Sequence, residues 1–220
     1  MRFPDDAVQV APNGVDLERY QDLPDAAGAR AELQLPQAFT LGFTGHFYAG
    51  RGIELLFRLA QALPRMQFLW VGGTPDAVVR WQDRLDAVGT KNVSLTGFVE
   101  NSRLPMYQAA CDALLMPYMA SISASSGQEI GDVINPMKMF EYMAAARPII
   151  TSDLPVIREV LDETRALFCT PGDLAAWKAA ILYLESNPQQ RAALAKNARD
   201  EAAKYTWLRR ARRALEAMDI

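Results

Sequence analysis

Short apolar runs alternate with amphipathic stretches along most of this chain. The apolar runs predict strands, which lie at 39–43, 67–71, 93–95, 113–116, 148–151 and 166–169. Apolar residues at helical spacing predict helices near 53–62, 76–88, 102–110, 136–145, 155–160, 173–185 and 188–204. Runs that are apolar throughout are typical of strands in a parallel sheet covered on both faces. The pattern therefore predicts an α/β fold, with a doubly wound, mostly parallel sheet and helices on both faces.

The ends of the chain fit this alternation poorly. Residues 1–35 include the turn-rich run Ala11-Pro-Asn-Gly-Val-Asp16, and we interpret them as a connector that leads into the main domain. Residues 36–204 are expected to form that domain, which would be Rossmann-like. Residues 205–220 are expected to form a closing helix that packs against another surface.

Size and composition limit the classes of function. The chain has 220 residues, of which 50% are hydrophobic, enough for the core of one full domain. Its net charge of −3 argues against nucleic acid or an anionic membrane as the main partner. Cys111 and Cys169 lie among apolar residues without metal-ligand spacing, so we expect buried free thiols in a reducing, cytoplasmic compartment. The sequence shows no signal peptide and no apolar span of about 20 residues, so we expect a soluble protein, or a peripheral one through a part absent here.

The segment 132–153 combines a polar loop, a helix start and a buried strand. Asn135 is a good cap residue, and Pro136 stands where a helix tolerates proline, at its first position. Such a helix start presents free amides and a positive dipole end, which suits a phosphate. Lys138 lies in the first turn, where an acid is usual, and Glu141 follows three residues later on the same face. This arrangement suits a phosphorylated sugar, with the carboxylate accepting hydrogen bonds from hydroxyls.

A glycine-rich loop at 42–52 follows the first strand. Glycines such as Gly45 let the backbone approach a ligand closely, and Arg51 can donate two parallel hydrogen bonds to a phosphate. A plain turn with an exposed arginine fits the same residues equally well. His46 is the only histidine, and both a structural and a ligand-binding role stay open. The loop is neither G-x-G-x-x-G nor a P-loop, which disfavours a Rossmann dehydrogenase.

Two further loops carry candidate ligand contacts. Glu129 and Asp132 lie in a long Ser/Gly-rich loop, where they suit sugar hydroxyls or simply solvent. The backbone near Val99 follows the third strand and could pair with a base edge. The chain has no G-x-S-x-G elbow, its one histidine leaves little room for a hydrolase triad, and no residue cluster has metal spacing.

Taken together, these segments resemble the C-terminal, nucleotide-sugar-binding domain of GT-B glycosyltransferases, in the large retaining family 4 (group 1). The resemblance covers nearly the whole chain. The matching segments occur in the family's order, at 11–16, 45–52, 71–73, 95–99, 116–118, 136–144, 147–153 and 171–173. It implies the Rossmann-like half of a GT-B fold that binds a UDP or GDP sugar, without a cofactor or metal.

The resemblance also assigns roles to individual residues. Glu141 takes the position of the second glutamate of the family's E-x7-E motif, which implies that it holds the ribose hydroxyls. Arg51 takes the place of the family lysine that faces the diphosphate, and His46 stands where an arginine is usual. The amides of Met137 and Lys138 would cap the diphosphate.

By the same resemblance, the backbone at Val99 would meet the base. The first glutamate of E-x7-E is replaced by Val133, as in a subset of the family that has the form SPxKxFEYMA. The role of that missing acid would then fall to the backbone or to other side chains, namely Glu129, Asp132 or Lys138.

The implied activity is transfer of a hexose from a nucleoside diphosphate to an acceptor, with retention, in glycan biosynthesis. Arg51, Lys138 and the helix amides would stabilise the charge that builds on the leaving diphosphate. We expect the acceptor-binding half to be absent from this chain, so that the chain binds the donor but transfers sugar poorly alone. The acceptor would be a sugar, a lipid-linked glycan or another molecule, and the full-length protein could associate peripherally with a membrane. A GT-B sugar-nucleotide epimerase and a non-catalytic α/β binding module are the alternatives.

Overall fold

A six-stranded parallel sheet forms the centre of the protein. The computed structural model describes residues 10–120 and 135–216. Its strands run in the order β3-β2-β1-β4-β5-β6, and every pair of neighbours is parallel. The strands are β1 Thr40–Thr44, β2 Gln67–Val71, β3 Val93–Leu95, β4 Ala113–Met116, β5 Ile149–Ser152 and β6 Ala166–Cys169. The predicted α/β fold with a doubly wound parallel sheet is thereby confirmed.

Helices connect the strands. They are α1 Ala26–Glu32, α2 Ile53–Ala62, α3 Pro75–Ala87, α4 Leu104–Ala109, α5 Met137–Ala144, α6 Pro155–Arg158, α7 Leu174–Ser186, α8 Pro188–Ala202 and α9 Trp207–Glu216. Short 3-10 helices lie at Leu17–Tyr20 and Asn101–Arg103. The side chains of Thr74 and Asp173 cap α3 and α7 by accepting hydrogen bonds from first-turn amides.

Two hydrophobic clusters cover the two faces of the sheet. Alternate residues of β2 enter different clusters, because successive side chains of a strand point to opposite faces. Phe68 and Trp70 join one cluster, and Leu69 and Val71 join the other. β2 is buried along its whole length, which explains why its sequence is apolar throughout.

The order of the strands reverses between β1 and β4. In an open parallel sheet, the chain leaves these two strands in opposite directions, which opens a crevice at their carboxyl ends. The loop after β1 and the loop after β4 meet at this point, where the Met119 amide donates to the Gly50 carbonyl at 2.9 Å. The topology therefore places the loop around Arg51 beside the end of β4.

Two local predictions differ from the structure. Pro136, not Asn135, occupies the N-cap position of α5, and the helix begins at Met137. The physical reason is that Pro136 is extended, with φ −73° and ψ 121°, so it stays outside the helix. The connector is also less irregular than expected, because it contains a 3-10 helix and α1. The prediction of a capping Asn135 was therefore wrong by one residue.

The two ends of the described chain lie against each other. The Val15 amide donates to the Tyr205 carbonyl at 2.8 Å, and Val15 pairs with Thr206 as an isolated parallel bridge. A Cβ on Gly14 would lie 2.6 Å from the Trp207 amide nitrogen, so only glycine fits this close approach. α9 follows, and none of its residues is buried against the described chain.

Hydrogen bonds to Asp112 connect α1 with the start of β1. One of its carboxylate oxygens accepts hydrogen bonds from the Arg30 guanidinium and from the Thr40 amide, both at 2.8 Å. The two side chains are only 10% and 20% exposed, for Arg30 and Asp112 respectively. Since the pair is largely removed from water, losing one partner leaves the other charge poorly compensated.

We predict that Asp112→Ala lowers the free energy of unfolding by about 2–4 kcal/mol, because the Arg30 guanidinium and the Thr40 amide lose their carboxylate partner. Asp200→Ala is the control, since Asp200 pairs with Lys196 on an exposed face. We expect that control to cost about 0.5 kcal/mol or less. Urea denaturation measures both, and equal losses would contradict the assigned role of Asp112.

Candidate functional site

Three loops at the carboxyl edge of the sheet are joined through their backbones. The Gly45 amide donates to the Val71 carbonyl, and the Gly72 amide donates to the Gly97 carbonyl, both at 2.8 Å. Gly72 has φ 119°, and a Cβ there would lie 2.3 Å from the Gly45 carbonyl oxygen. Glycine is therefore required for the loops after β1, β2 and β3 to form one continuous edge.

The fourth loop of this edge comes from β4. Gly52 has φ 78°, and a Cβ on it would lie 1.8 Å from the Pro117 carbonyl oxygen. This close approach brings the loop after β1 against the end of β4. It places Arg51 beside Tyr118, whose side chain is almost fully buried.

Arg51 and Lys138 converge on Tyr118. An Arg51 guanidinium nitrogen donates to the Tyr118 hydroxyl at 3.1 Å, and the guanidinium carbon lies 5.2 Å from the ring centroid. Lys138 Nζ lies 5.5 Å from the same ring and 4.1 Å from the Phe43 ring. A Cβ on Gly45 would lie 2.9 Å from Lys138 Nζ. The structure thus brings together Arg51, Gly45 and Lys138, which sequence analysis drew from two separate segments.

The two cations have no acidic partner in the part of the chain that the structure describes. Neither Arg51 nor Lys138 takes part in any of the ion pairs found there. Burial lowers the pKa of Lys138 to about 7, with the nearby Arg51 charge as the next cause and Glu141 partly offsetting both. Burial also raises the pKa of Tyr118 to about 12, so its phenol is protonated near neutral pH. Such a site has an excess of positive charge that suits an anion.

α5 is fixed against the end of β1. The Tyr142 hydroxyl, fully buried, accepts a hydrogen bond from the Thr44 amide at 2.8 Å. At the other end of the helix, the Met139 amide donates to the Pro136 carbonyl at 3.0 Å. The amides of Met137 and Lys138 precede that first bond, so they are among the free donors of the helix start.

Glu141 is half-buried one turn after Lys138. Burial raises its pKa, while the charges of Arg19 and Lys138 and the Gln108 amide partly offset that rise. Arg19 comes from the first 3-10 helix, where its guanidinium donates to the Asn101 carbonyl of the loop after β3. The surroundings of Glu141 therefore include side chains from the connector and from α4.

The remaining predicted site residues are more scattered. His46 is exposed and stacks on Tyr48, with ring centroids 4.9 Å apart, and no hydrogen bond to it is found in the described residues. Met137 and Asn135 are exposed beside the start of α5. The Asn135 carbonyl accepts a hydrogen bond from the Asn13 side chain at 2.7 Å. The side chain of Val99 packs against the core.

Glu129, Asp132 and Val133 lie outside the described residues. Four residues that contact or surround the site were not predicted from the sequence, namely Arg19, Tyr20, Gln108 and Tyr118. Tyr118 belongs to the segment 116–118 that carried part of the resemblance, so its position was marked although its contact with Arg51 was not. Arg19 and Tyr20 lie in a polar stretch that carries no motif, and Gln108 is a polar residue within a mostly apolar stretch.

Residues 38–187 match the family described as glycosyl transferases group 1. This chain belongs to that family. It is 29% identical over 222 residues to the D-inositol 3-phosphate glycosyltransferase of Saccharomonospora viridis, an alignment that covers 93% of this chain and 48% of that protein. This group 1 chain spans between 35% and 52% of the length of the curated relatives it matches.

Solved structures share the fold of this group 1 domain. Anabaena HepE in complex with UDP superposes with a TM-score of 0.78 at 20% identity, covering 94% of this chain and 56% of that one. The C-terminal domain of the group 1 glycosyl transferase LpcC from Francisella tularensis superposes with a TM-score of 0.70 at 16% identity, covering 87% of this chain and 97% of that one. These are GT-B glycosyltransferase structures, and they establish the fold.

Residues 10–120 and 135–216 contain neither a membrane-spanning helix nor a cluster of metal-binding side chains. No helix there is long and apolar enough to cross a membrane. No group of three or more histidine, cysteine, aspartate or glutamate side chains in these ranges is arranged to hold a metal ion.

The lowered pKa of Lys138 predicts how stability depends on pH. An ordinary lysine in the unfolded chain stays protonated up to about pH 10, whereas Lys138 in the folded protein loses its proton at about 7. Between these values the unfolded chain binds the extra proton, so the Lys138 contribution to the free energy of unfolding rises with pH. The unfavourable contribution is fully present below the lower value.

We expect Lys138→Met to reduce the rise in stability from about pH 7 to about pH 9, and to stabilise the protein most at the lower pH. Urea denaturation across this range measures the effect. Lys91→Met changes an exposed lysine and serves as the control. Parallel pH profiles for the wild type and Lys138→Met would contradict the prediction.

Proposed function

We propose that this group 1 chain is the donor-binding part of a retaining glycosyltransferase and binds a nucleoside-diphosphate sugar in the crevice between β1 and β4. The observation that carries the proposal is the convergence of Arg51 and Lys138 on Tyr118, beside the start of α5. Two cations without an acidic partner in the described residues suit a ligand with two adjacent phosphates. The complex of HepE with UDP, on the same fold, supports this choice.

The diphosphate would be bound by side chains and backbone together. Arg51 would donate paired hydrogen bonds to one phosphate, and Lys138 would supply a point charge to the other. The free amides of Met137 and Lys138, at the positive end of the α5 dipole, would cap the diphosphate. Gly45 leaves room for that ligand beside Lys138 Nζ. A diphosphate would also favour the protonated form of Lys138, which burial disfavours in the free protein.

The nucleoside would extend from the diphosphate toward the loop after β3. Glu141, one turn along α5, would accept hydrogen bonds from the ribose hydroxyls, and the backbone at Val99 would meet the base. Arg19 supports this direction, since it lies near Glu141 and donates to the Asn101 carbonyl, two residues after Val99. Asn135 would border the helix start. His46 would be a second donor near the phosphates if its exposed ring turned toward them.

Transfer would proceed with the nucleoside diphosphate as the leaving group. Negative charge builds on its phosphate as the sugar becomes positively charged, and Arg51, Lys138 and the helix amides would stabilise that charge. An acid in place of Val133 would otherwise make contacts to the sugar. We assign these contacts to Glu129, Asp132, Lys138 or the backbone. Retention of configuration is part of the proposal, and no side chain is assigned as a nucleophile.

The acceptor would bind to a second domain. Two findings support a separate acceptor-binding domain. The chain spans about half the length of two relatives, and it is similar to a structure of the C-terminal domain of LpcC. On this proposal the isolated chain binds the donor but transfers little sugar. The buried thiols of Cys111 and Cys169 suit the reducing cytoplasm, where the complete protein would reach sugar or lipid-linked acceptors at the membrane surface.

Calorimetric titration with UDP, GDP, ADP and NAD tests the proposed function. We expect at least one nucleoside diphosphate to bind and to raise the melting temperature, because only the folded site binds the ligand. NAD should not bind, since the loop after β1 lacks the dinucleotide motif. Failure of all three diphosphates, or selective binding of NAD, would overturn the proposal.

The role of Glu141 predicts a specific loss. Glu141→Ala should weaken binding of the preferred nucleoside diphosphate by about 1–3 kcal/mol, because charged hydrogen bonds to the ribose are lost. Glu32→Ala, at an exposed position in α1, is the control and should leave affinity unchanged. An unaltered calorimetric affinity for Glu141→Ala would remove the ribose role from this residue.

A further inference from the structure

Two polar side chains near Glu141 are buried without a hydrogen-bond partner. Gln108, in α4, is completely buried, and neither its amide nitrogen nor its amide oxygen has a partner among the described residues. Tyr20, in the first 3-10 helix, is 6% exposed, and its hydroxyl is equally without a partner there. Buried polar groups are almost always paired in native proteins, so two together need an explanation.

Both groups lie close to Glu141 although they come from distant parts of the chain. The Gln108 amide is near enough to lower the pKa of Glu141, yet it does not reach the geometry of a full hydrogen bond. Burial, and after it the Glu141 charge, raise the pKa of Tyr20, which keeps the phenol protonated and able to donate. Gln108 and Tyr20 therefore place two amide N–H groups and one O–H group, all buried, in the neighbourhood of Glu141.

The half-buried position of Glu141 completes the arrangement. A carboxylate has about four lone-pair directions, and donors on one side leave the others available. With its buried side held by Gln108 and Tyr20, the remaining lone pairs would face the crevice. That division suits a residue that binds a pair of vicinal hydroxyls, because the carboxylate must be fixed in orientation to accept both.

We propose that Gln108 and Tyr20 are positioning residues, which donate hydrogen bonds to the Glu141 carboxylate when a nucleotide is bound and so orient it toward the ribose hydroxyls. The inference rests on the proposed function, in which Glu141 binds the ribose. In the free protein these donors have no partner among the described residues, and closing the bonds to Glu141 would be coupled to ligand binding. The coupling would favour ribonucleotides over analogues that lack the hydroxyls.

A structural role for the Gln108 amide predicts a different effect on stability. If the amide stabilised the fold, replacing it with an apolar side chain of similar size would lower the melting temperature. Gln108→Met makes that change. On our proposal the variant keeps or raises the melting temperature while nucleotide binding becomes weaker, because the polar group is retained for binding rather than for folding.

The test compares ribonucleotides with analogues. Affinities of the wild type and Gln108→Met are measured by calorimetry for UDP, GDP and ADP and for their 2′,3′-dideoxy counterparts. We expect Gln108→Met to lose about fivefold or more in affinity for the preferred ribonucleotide and little for its dideoxy analogue, the loss of roughly one hydrogen bond. Gln61→Met, on the exposed face of α2, is the control and should change neither affinity.

Tyr20→Phe provides a second, independent variant. It removes only the hydroxyl, so it can test the positioning role even if Gln108→Met fails to fold. We expect a smaller loss in the same direction, and losses that are not additive with Glu141→Gln, because all three groups act on one contact. Unchanged discrimination between ribose and dideoxyribose in both variants would overturn the inference.

The outcomes separate this inference from the proposed function. If the wild type binds none of the three nucleoside diphosphates, the proposed function fails and the inference falls with it. If the wild type binds one of them but Gln108→Met and Tyr20→Phe discriminate as the wild type does, the inference alone fails. A lower melting temperature with unchanged discrimination would likewise assign Gln108 to structure and overturn the positioning role.

Discussion

Arg51 and Lys138 carry like charges, yet the fold holds both against the same buried phenol of Tyr118. Two like charges near one ring repel each other, and removing them from water adds a desolvation cost. Both effects appear in the lowered pKa of Lys138, for which burial is the larger cause and Arg51 the next. Within the described chain no carboxylate forms an ion pair with either group, so a bound anion would supply the balancing charge.

The backbone enforces this unfavourable pairing. Gly52 lies so close to Pro117 that no larger residue fits, and the Met119 amide binds the Gly50 carbonyl. These contacts fix Arg51 at the end of β4, while the bond between Tyr142 and Thr44 fixes α5 against β1. Because these contacts fix the backbone on both sides, Arg51 and Lys138 are held at the same crevice. The reversal of strand order is what brings these elements together.

Local sequence patterns were sufficient for most of the fold. The bounds of β2, β3, β4, β6 and α2 were predicted to the residue, because each is a distinctly apolar or amphipathic run bounded by polar or turn residues. α1 was missed, since its sequence is rich in alanine, includes a glycine, and depends on the Asp25 cap rather than on a strongly apolar face. Its packing relies on the bond from Arg30 to Asp112, which lies 82 residues away.

The residues of the candidate site also differ in whether local sequence patterns could predict them. Arg51, Lys138 and Glu141 could be proposed from motifs, because each lies in a segment whose local pattern suggests a ligand. Tyr118, Gln108 and Tyr20 could not, since their importance depends on contacts between distant segments and on burial without a partner. A side chain's lack of a partner is a property of the folded protein and leaves no trace in the sequence.

Several polar groups with few or no partners among the described residues lie around α5, although the Trp70 Nε1 group of β2 is also buried without a partner. Lys138 and Glu141 lie on α5 itself, and Gln108 and Tyr20 lie beside it. Elsewhere buried polar groups such as Arg30 and Asp112 are paired at short distances, as stability requires. The grouping of Lys138, Glu141, Gln108 and Tyr20 around one helix suits a binding site at the start of α5.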